Sequence, residues 1–186
     1  MVVGLSSDDR QVLSAGTVAR IAAHHLECSA LLAAAPPEGT RTIVLGIDGS
    51  ASAREAVRLL SLAGFAPAPR VLALGIVDTS WRRTIDYAQL PATAARAIQV
   101  IEAQQTSEAR AALARGTAGL TGRAILESDV VLGSPIQALL DGAQERRADL
   151  IAVGHQGLEP VRRLSLGSVA AQLLTAPPCS LLIGRA

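Results

Sequence analysis

Short apolar runs alternate with helix-like segments from residue 42 to residue 184, and this alternation restricts the fold more than any other feature. The predicted strands are the runs 42–47, 71–77, 123–132, 149–154 and 179–184. The runs are largely continuous in apolar residues, which is typical of strands that are buried on both faces. Such strands occur in parallel sheets, where right-handed crossovers place helices on both faces. The sequence therefore predicts an α/β fold with an open parallel sheet.

Helical patterns fill the intervals between these runs. The first predicted helix follows the first apolar run; its apolar residues have helical spacing, and Gly64 is placed to stop it. The second is an Ala-rich segment at about 92–115. The third begins at Pro135, and the last lies at 168–176. Proline is favoured at a first helical position because its fixed φ suits the helix and its missing N–H is not needed there. Strand and helix thus alternate through the whole region.

Residues 1–40 do not follow this rhythm. Val12, Val18 and Leu26 have helical spacing, and the turn-forming stretch PPEGT separates them from the first apolar run. The sequence predicts an N-terminal helical extension and linker at 1–40, followed by a single domain at 41–186. The extension is expected to dock on that domain or on a second subunit.

Composition excludes several classes of function. The formal net charge is only +1 and the chain has one Phe, one Tyr and one Trp, so no nucleic-acid surface is expected. No apolar run approaches the roughly 18 residues of a membrane span. Lysine is absent, which excludes a Walker-type phosphate lysine. The two cysteines form no CxxC pair and no secretory signal is recognised, so we expect a reduced, cytoplasmic protein.

A glycine-rich stretch, VGHQGLEPVRRLSLGS, follows the fourth apolar run and precedes the last predicted helix. Ligands of open parallel sheets bind beyond the carboxyl ends of the strands, where this stretch lies. Glycines let backbone N–H groups approach phosphates, and a helix start adds further N–H groups and a positive dipole end. We expect a base or ribose to lie against Gly154 and a phosphate against Gly167. The alternative is that these glycines serve only as turns and caps.

The spacing of this stretch resembles a known family signature. Gly154, Gly157, Gly167 and Ser168 fit the pattern G-x2-G-x9-G-[ST], which is similar to the ATP-binding signature of the universal stress protein family. TIVLGIDGS at the first run, ALGIVD at the second, and VLGSPIQALLDGAQERRADLIAVG also resemble that family. The resemblance covers roughly residues 41–185.

The resemblance implies a Rossmann-like domain with five parallel strands in the order 3-2-1-4-5. It also implies a bound ATP, with Mg as a possible companion, and a homodimer formed through the last strand, which is expected at a sheet edge. Carried over by position, the residues implied at the nucleotide are Gly46, Ile47, Asp48, Ile76, Val153, Gly154, Gly157, Gly167, Ser168 and Val169. Asp48 would suit a ribose hydroxyl, Ile76 the adenine, and Ser168 a phosphate.

Several positions keep a second interpretation. Asp48 could instead cap the helix that follows it, and Ser168 could cap the last helix. His155 and Gln156 depart from the residues that the family often has there, and His155 could be a general base or a structural residue. Arg162 and Arg163 could compensate for the neutral Gln156, or be solvated loop charges.

Three functions follow, and they belong to different classes. The favoured one is an ATP-binding stress-response or regulatory module. The second is a dimeric scaffold of the same family that binds no nucleotide. The third is a slow ATP hydrolase, which is disfavoured because no catalytic residue and no metal ligand can be assigned and the usual enzyme motifs are missing.

Overall fold

The computed structural model describes residues 2–4, 28–34, 40–63, 68–85, 90–157 and 166–186. The strands in these ranges are β1 (Val2–Gly4), β2 (Ala30–Ala33), β3 (Thr42–Gly46), β4 (Arg70–Asp78), β5 (Ile125–Gly133), β6 (Leu150–Gly154) and β7 (Ser180–Gly184). The α-helices are α1 (Ala51–Leu62), α2 (Ala92–Thr117), α3 (Pro135–Arg146) and α4 (Ser168–Thr175). Short 3-10 helices at Ser80–Thr84 and Ala118–Leu120 complete the described elements.

These strands form one sheet in the order β1-β2-β7-β6-β3-β4-β5. All neighbouring pairs are parallel except β2 and β7, which are antiparallel. The prediction of an α/β, Rossmann-like fold with a mostly parallel sheet is confirmed. The prediction of five strands is wrong, and the order of the full sheet differs from the predicted one, because β1 and β2 extend the sheet beyond β7. The strands of residues 42–184 keep the relative order 3-2-1-4-5 within it.

The N-terminal residues correct the sequence analysis. Residues 30–33 were expected in a helical extension, but they form β2 and pair with β7 in the register Ala30↔Ile183 to Leu32↔Leu181. The residues whose helical spacing suggested that extension, Val12 to Leu26, lie outside the described residues. Residues 30–33 therefore form a strand of the sheet and not the expected helix.

The last strand also differs from expectation. β7 was expected at a sheet edge, but it lies between β6 and β2. All of its residues are buried, because it has a neighbour on each side and helices on the faces. The edge that was expected to pair with a second copy is occupied in this structure.

Helices on opposite faces of the sheet bury two cores. α3 and α4 pack on one face, where Leu139 and Leu173 meet Val44 and Ile151 of the central strands. α1 and α2 pack on the other face, where Leu113 belongs to the second core. Residues 43–45 of β3 are completely buried, which explains why its sequence is a continuous apolar run. This arrangement leaves the carboxyl ends of β3, β4 and β6 as the floor of a site.

Candidate functional site

A cavity of about 190 Å³ lies at the carboxyl ends of β3, β4 and β6, beside the first turns of α3 and α4. Every residue named from the sequence as nucleotide-binding lines it: Gly46, Ile47, Asp48, Ile76, Val153, Gly154, Gly157, Gly167, Ser168 and Val169. Leu74, Pro135, Leu139 and Ala170 line it as well. The fold thus brings five separate stretches of the chain to one cavity. Their assignment to a ligand stays a prediction.

The additional lining residues belong to β4, α3 and α4. Pro135 was recognised in the sequence as the start of a helix but not as part of a site. Leu74, Leu139 and Ala170 read as ordinary core residues, and all three are indeed buried in the core that α3 and α4 form with the sheet. They line the cavity because the sheet order places α3 beside β3 and β4. No local sequence motif predicts this.

Asp48 holds the turn that leads from β3 into α1. Its Oδ1 accepts a hydrogen bond from the Ser50 N–H at 2.8 Å, while the Ser50 hydroxyl oxygen caps α1 by accepting from the Ala53 N–H at 3.1 Å. Ser50 is therefore the helix cap, and the alternative that Asp48 caps α1 directly is wrong. Oδ2 of Asp48 faces Gly157, where a Cβ would lie only 3.0 Å from it. Asp48 thus presents one carboxylate oxygen toward the glycine-rich stretch.

The missing side chain of Gly154 makes room for the start of α1. A Cβ on Gly154 would lie 2.7 Å from the Ala53 nitrogen and 3.0 Å from atoms of Ser52. Its backbone lines the cavity, but its missing side chain faces the start of α1. The expectation that a base or ribose lies against the backbone of Gly154 stays a prediction.

Gly167 is tied to the end of β6. Its N–H donates to the His155 carbonyl oxygen at 2.8 Å, and a Cβ would lie 3.1 Å from that oxygen and 3.3 Å from Gln156 Cα. Glycine is needed here because two backbone segments approach closely. A larger side chain at Gly167 would press on the backbone of residues 155–156, and the expectation that a phosphate lies against Gly167 stays a prediction.

The first turn of α4 faces the cavity. Gly167 is the N-cap, with no side-chain capping bond, and Ser168 is the first helical residue. The alternative that Ser168 caps α4 is therefore wrong. Ser168 is exposed and lines the cavity next to Val169. Because the first N–H groups of an α-helix have no partner within it, this turn offers N–H donors and the positive end of the helix dipole.

His155 is buried, with 4% of its surface exposed, and is not among the residues that line the cavity. Its side-chain Nε2 lies 3.2 Å from Nη1 of Arg185, and its backbone N–H donates to the Gly184 carbonyl oxygen at 2.6 Å. These contacts favour the structural interpretation of His155 over a general base. Arg162 and Arg163 lie outside the described residues.

The segment after β4 packs on α2. Arg82 makes a two-pronged ion pair with Glu102, its Nε donating to Oε1 at 2.6 Å and its Nη2 donating to Oε2. Glu102 is buried, so the pair neutralises a carboxylate that would otherwise be unpaired in the interior. Trp81 donates its indole N–H to the Asp78 carbonyl oxygen. Neither Trp81 nor Arg82 lines the cavity.

Replacing Arg82 by alanine is expected to lower the free energy of unfolding by about 2 kcal/mol, because a buried carboxylate loses two charge-assisted hydrogen bonds. Urea unfolding followed by circular dichroism measures the change. Arg83→Ala is the matched control, since Arg83 is exposed and surface substitutions usually change stability by less than about 0.5 kcal/mol. Equal stability of the two variants would contradict the structural role of Arg82.

Within the described ranges, no group of three or more His, Cys, Asp or Glu side chains is placed to hold a metal ion. None of the described helices is both long enough and apolar enough to cross a membrane.

Comparison of sequences finds one family. A sequence model of the Universal stress protein family matches residues 39–185. A universal stress protein of Mycobacterium tuberculosis is 31% identical over 142 residues, which cover 72% of this chain and 88% of the relative. A universal stress protein of Thermus aquaticus is 28% identical over 157 residues, which cover 78% of this chain and 98% of the relative.

Comparison of structures finds the same fold. Universal stress protein UspA from Lactobacillus plantarum matches with a TM-score of 0.64 at 19% identity, over 78% of this chain and 98% of that structure. A protein of the same family from Burkholderia pseudomallei matches with a TM-score of 0.58 at 21% identity, over 81% of this chain and 100% of that structure. At these identities the likeness shows the fold alone.

Proposed function

The chain belongs to the universal stress protein family, and we propose that it binds ATP in the cavity at the carboxyl ends of β3, β4 and β6. Nucleotide occupancy would make it a stress-response or regulatory module. The observation that carries the proposal is the convergence of the whole G-x2-G-x9-G-[ST] set with Asp48 and Ile76 on one cavity. A cytoplasmic location, expected from the sequence, belongs to the same proposal.

The chemistry of the lining suits the three parts of an adenine nucleotide. Ile76, Val153 and Leu139 provide an apolar wall against which an adenine ring packs. Asp48 Oδ2, which faces Gly157, suits a ribose hydroxyl because a carboxylate is a strong hydrogen-bond acceptor. The first turn of α4 with the Ser168 hydroxyl suits the phosphates, since N–H donors and the helix dipole favour anions.

Binding is better supported than turnover. Asp48 is the one ionisable side chain among the described residues that line the cavity, and its Oδ1 already accepts from Ser50. Hydrolysis of ATP needs groups that position water and stabilise the transferring phosphate. A divalent cation such as Mg would partly neutralise the phosphates, with backbone N–H groups and Ser168 as the protein's own contribution.

Direct detection of nucleotide tests the proposal. The purified protein is heat-denatured, the supernatant is resolved by ion exchange against adenine nucleotide standards, and the native protein is titrated calorimetrically with Mg-ATP. ATP that co-purifies or binds by titration supports the proposal. No nucleotide by either route would overturn it and favour a scaffold role, whereas ADP that accumulates with time would favour the hydrolase.

Replacing Asp48 by asparagine is expected to weaken both ATP and adenosine about tenfold, because the ribose loses a charged acceptor worth about 1.4 kcal/mol. The amide oxygen of asparagine still accepts from the Ser50 N–H, so thermal unfolding should change little. Calorimetry with the two ligands checks the result. Unchanged affinity for adenosine would remove Asp48 from the proposed ribose contact.

A further inference from the structure

β2 covers the outer side of β7 with a short antiparallel ladder. The register pairs Ala30 with Ile183, Leu31 with Leu182 and Leu32 with Leu181. Leu32 is only 1% exposed and joins the core formed by α3 and α4, while Leu31 packs against the core on the opposite face. β2 thus contributes to both cores although it has four residues.

Hydrogen bonds fix both ends of β2. At its start, the Arg185 N–H donates to Ser29 Oγ at 3.0 Å. At its end, the Ala34 N–H donates to Ser180 Oγ at 3.0 Å. Ser180 is itself buried, so its hydroxyl oxygen is a desolvated acceptor that β2 satisfies. The strand is therefore anchored over its whole length.

The pairing has the geometry that a second copy of β7 would adopt. Two identical strands that pair about a two-fold axis are antiparallel, and an axis between Leu181 and Leu182 would place each Leu181 opposite the partner strand's Leu182. In the observed ladder, Leu31 is opposite Leu182 and Leu32 is opposite Leu181. Leu31 and Leu32 therefore stand where a second copy of β7 would place its own Leu-Leu pair.

The chain length permits this pairing within one molecule. β2 and β3 are separated by β7 and β6, a distance of about 14 Å at the usual spacing of strands. The connection between them, residues 34–41, spans roughly 26 Å when fully extended. An intrachain ladder therefore requires no exchange of strands between molecules.

We propose that β2 mimics a second copy of β7 and closes this sheet edge within the chain, so that the protein does not self-associate through β7. An uncovered edge of five buried, mostly apolar residues would expose unpaired N–H and C=O groups, which is the usual template for pairing between chains. The proposal is independent of nucleotide binding.

An engineered disulfide tests whether the strand that pairs with β7 belongs to the same molecule or to a second one. Directly opposed residues of an antiparallel pair have Cα atoms about 4.5–5.5 Å apart, within the range that a disulfide spans. Leu31→Cys with Leu182→Cys, in a Cys28→Ser background, is oxidised at low and at high protein concentration. Cys179 can stay, because burial raises the pKa of its thiol to about 11 and the thiolate is the reactive form.

The expected product is a monomer at every concentration, with a 31–182 bond identified by peptide mass mapping. A disulfide-linked dimer would show that the strand pairs between molecules and would overturn the proposal. Failure of the 31–182 bond to form in the folded protein would overturn it as well, since β2 would then not lie on β7.

Release of β2 gives a second test. Leu32→Glu places a carboxylate at a completely buried position, so β2 can no longer pack, and sedimentation equilibrium should detect a dimer while circular dichroism shows a folded protein. Leu62→Glu is the matched control, because Leu62 is 64% exposed, and it should sediment as the unsubstituted chain does. A folded Leu32→Glu protein that stays monomeric would overturn the proposal.

Discussion

Replacing Gly184 by alanine is expected to lower the free energy of unfolding by about 3 kcal/mol, at the upper end of the range for overpacked cores. The added Cβ would lie 2.4 Å from the Ala56 nitrogen, 2.6 Å from the Ser52 carbonyl oxygen and 2.8 Å from Ala56 Cα. These are backbone atoms of α1, so no rotamer change relieves the overlap. For a chain of this length the melting temperature should fall by roughly 6–12 °C.

Gly184 acts together with Gly154. The two are paired across β6 and β7, and both present a bare α-carbon to the first two turns of α1. The paired glycines let α1 lie directly on the sheet, just after the turn that Asp48 holds. Packing of α1 is therefore linked to the position of Asp48 in the candidate site.

Gly119→Ala is the control for Gly184→Ala. Its Cβ would meet Val57 Cγ1 at an ordinary 3.7 Å, so only the entropy of the unfolded chain should change, and the effect should be neutral or slightly stabilising. Differential scanning calorimetry of the two variants compares them directly. Equal melting temperatures would show that α1 does not contact β7 at this distance.

The alternation of runs predicted the parallel core of the fold because buried strands need continuous apolar sequence. The same reasoning failed for Ala30–Ala33, since a four-residue run of alanine and leucine fits a helix as well as a strand. Residues 30–33 form a strand because they pair with β7, and this contact joins residues that are distant in sequence. The Leu-Leu pair of residues 31–32 recurs at 181–182, but it also occurs at 59–60, 139–140 and 173–174, so it does not by itself indicate the pairing.

The ten residues named from the sequence all line the cavity, but Leu74, Pro135, Leu139 and Ala170 were not predicted there, and neither was the geometry. Spacing identified Gly154 and Gly167 as positions that tolerate no side chain, which agrees with the close contacts around both. The spacing could not predict which atoms a side chain at either position would contact, because these contacts depend on where α1 and residues 155–156 pack. A substitution meant to block phosphate must therefore project from a residue that faces the cavity, and Ser168 is such a residue.

Replacing Ser168 by aspartate is expected to weaken ATP binding roughly 30-fold. A carboxylate about 5 Å from a phosphate costs on the order of 3 kcal/mol per charge pair at an effective dielectric constant of 20, and solvent screening reduces this to about 2 kcal/mol. The fold should tolerate the change, because an acidic residue in the first turn of a helix is favourable. Calorimetric titration with Mg-ATP measures the loss, and thermal unfolding checks the fold.

Two comparisons make the Ser168→Asp result specific to phosphate. Ser168→Asn has a similar size without the charge and should lose less than about tenfold in affinity for ATP, since at most one neutral hydrogen bond changes. Adenosine carries no phosphate, so its affinity should be the same for Ser168→Asp and for the unsubstituted chain. Equal loss of ATP and adenosine would mean that the aspartate disturbs the cavity as a whole. Unchanged ATP affinity would mean that the phosphates do not lie at the first turn of α4, and the glycine-rich stretch would then serve only to pack α1 and to join residues 155–156 to α4.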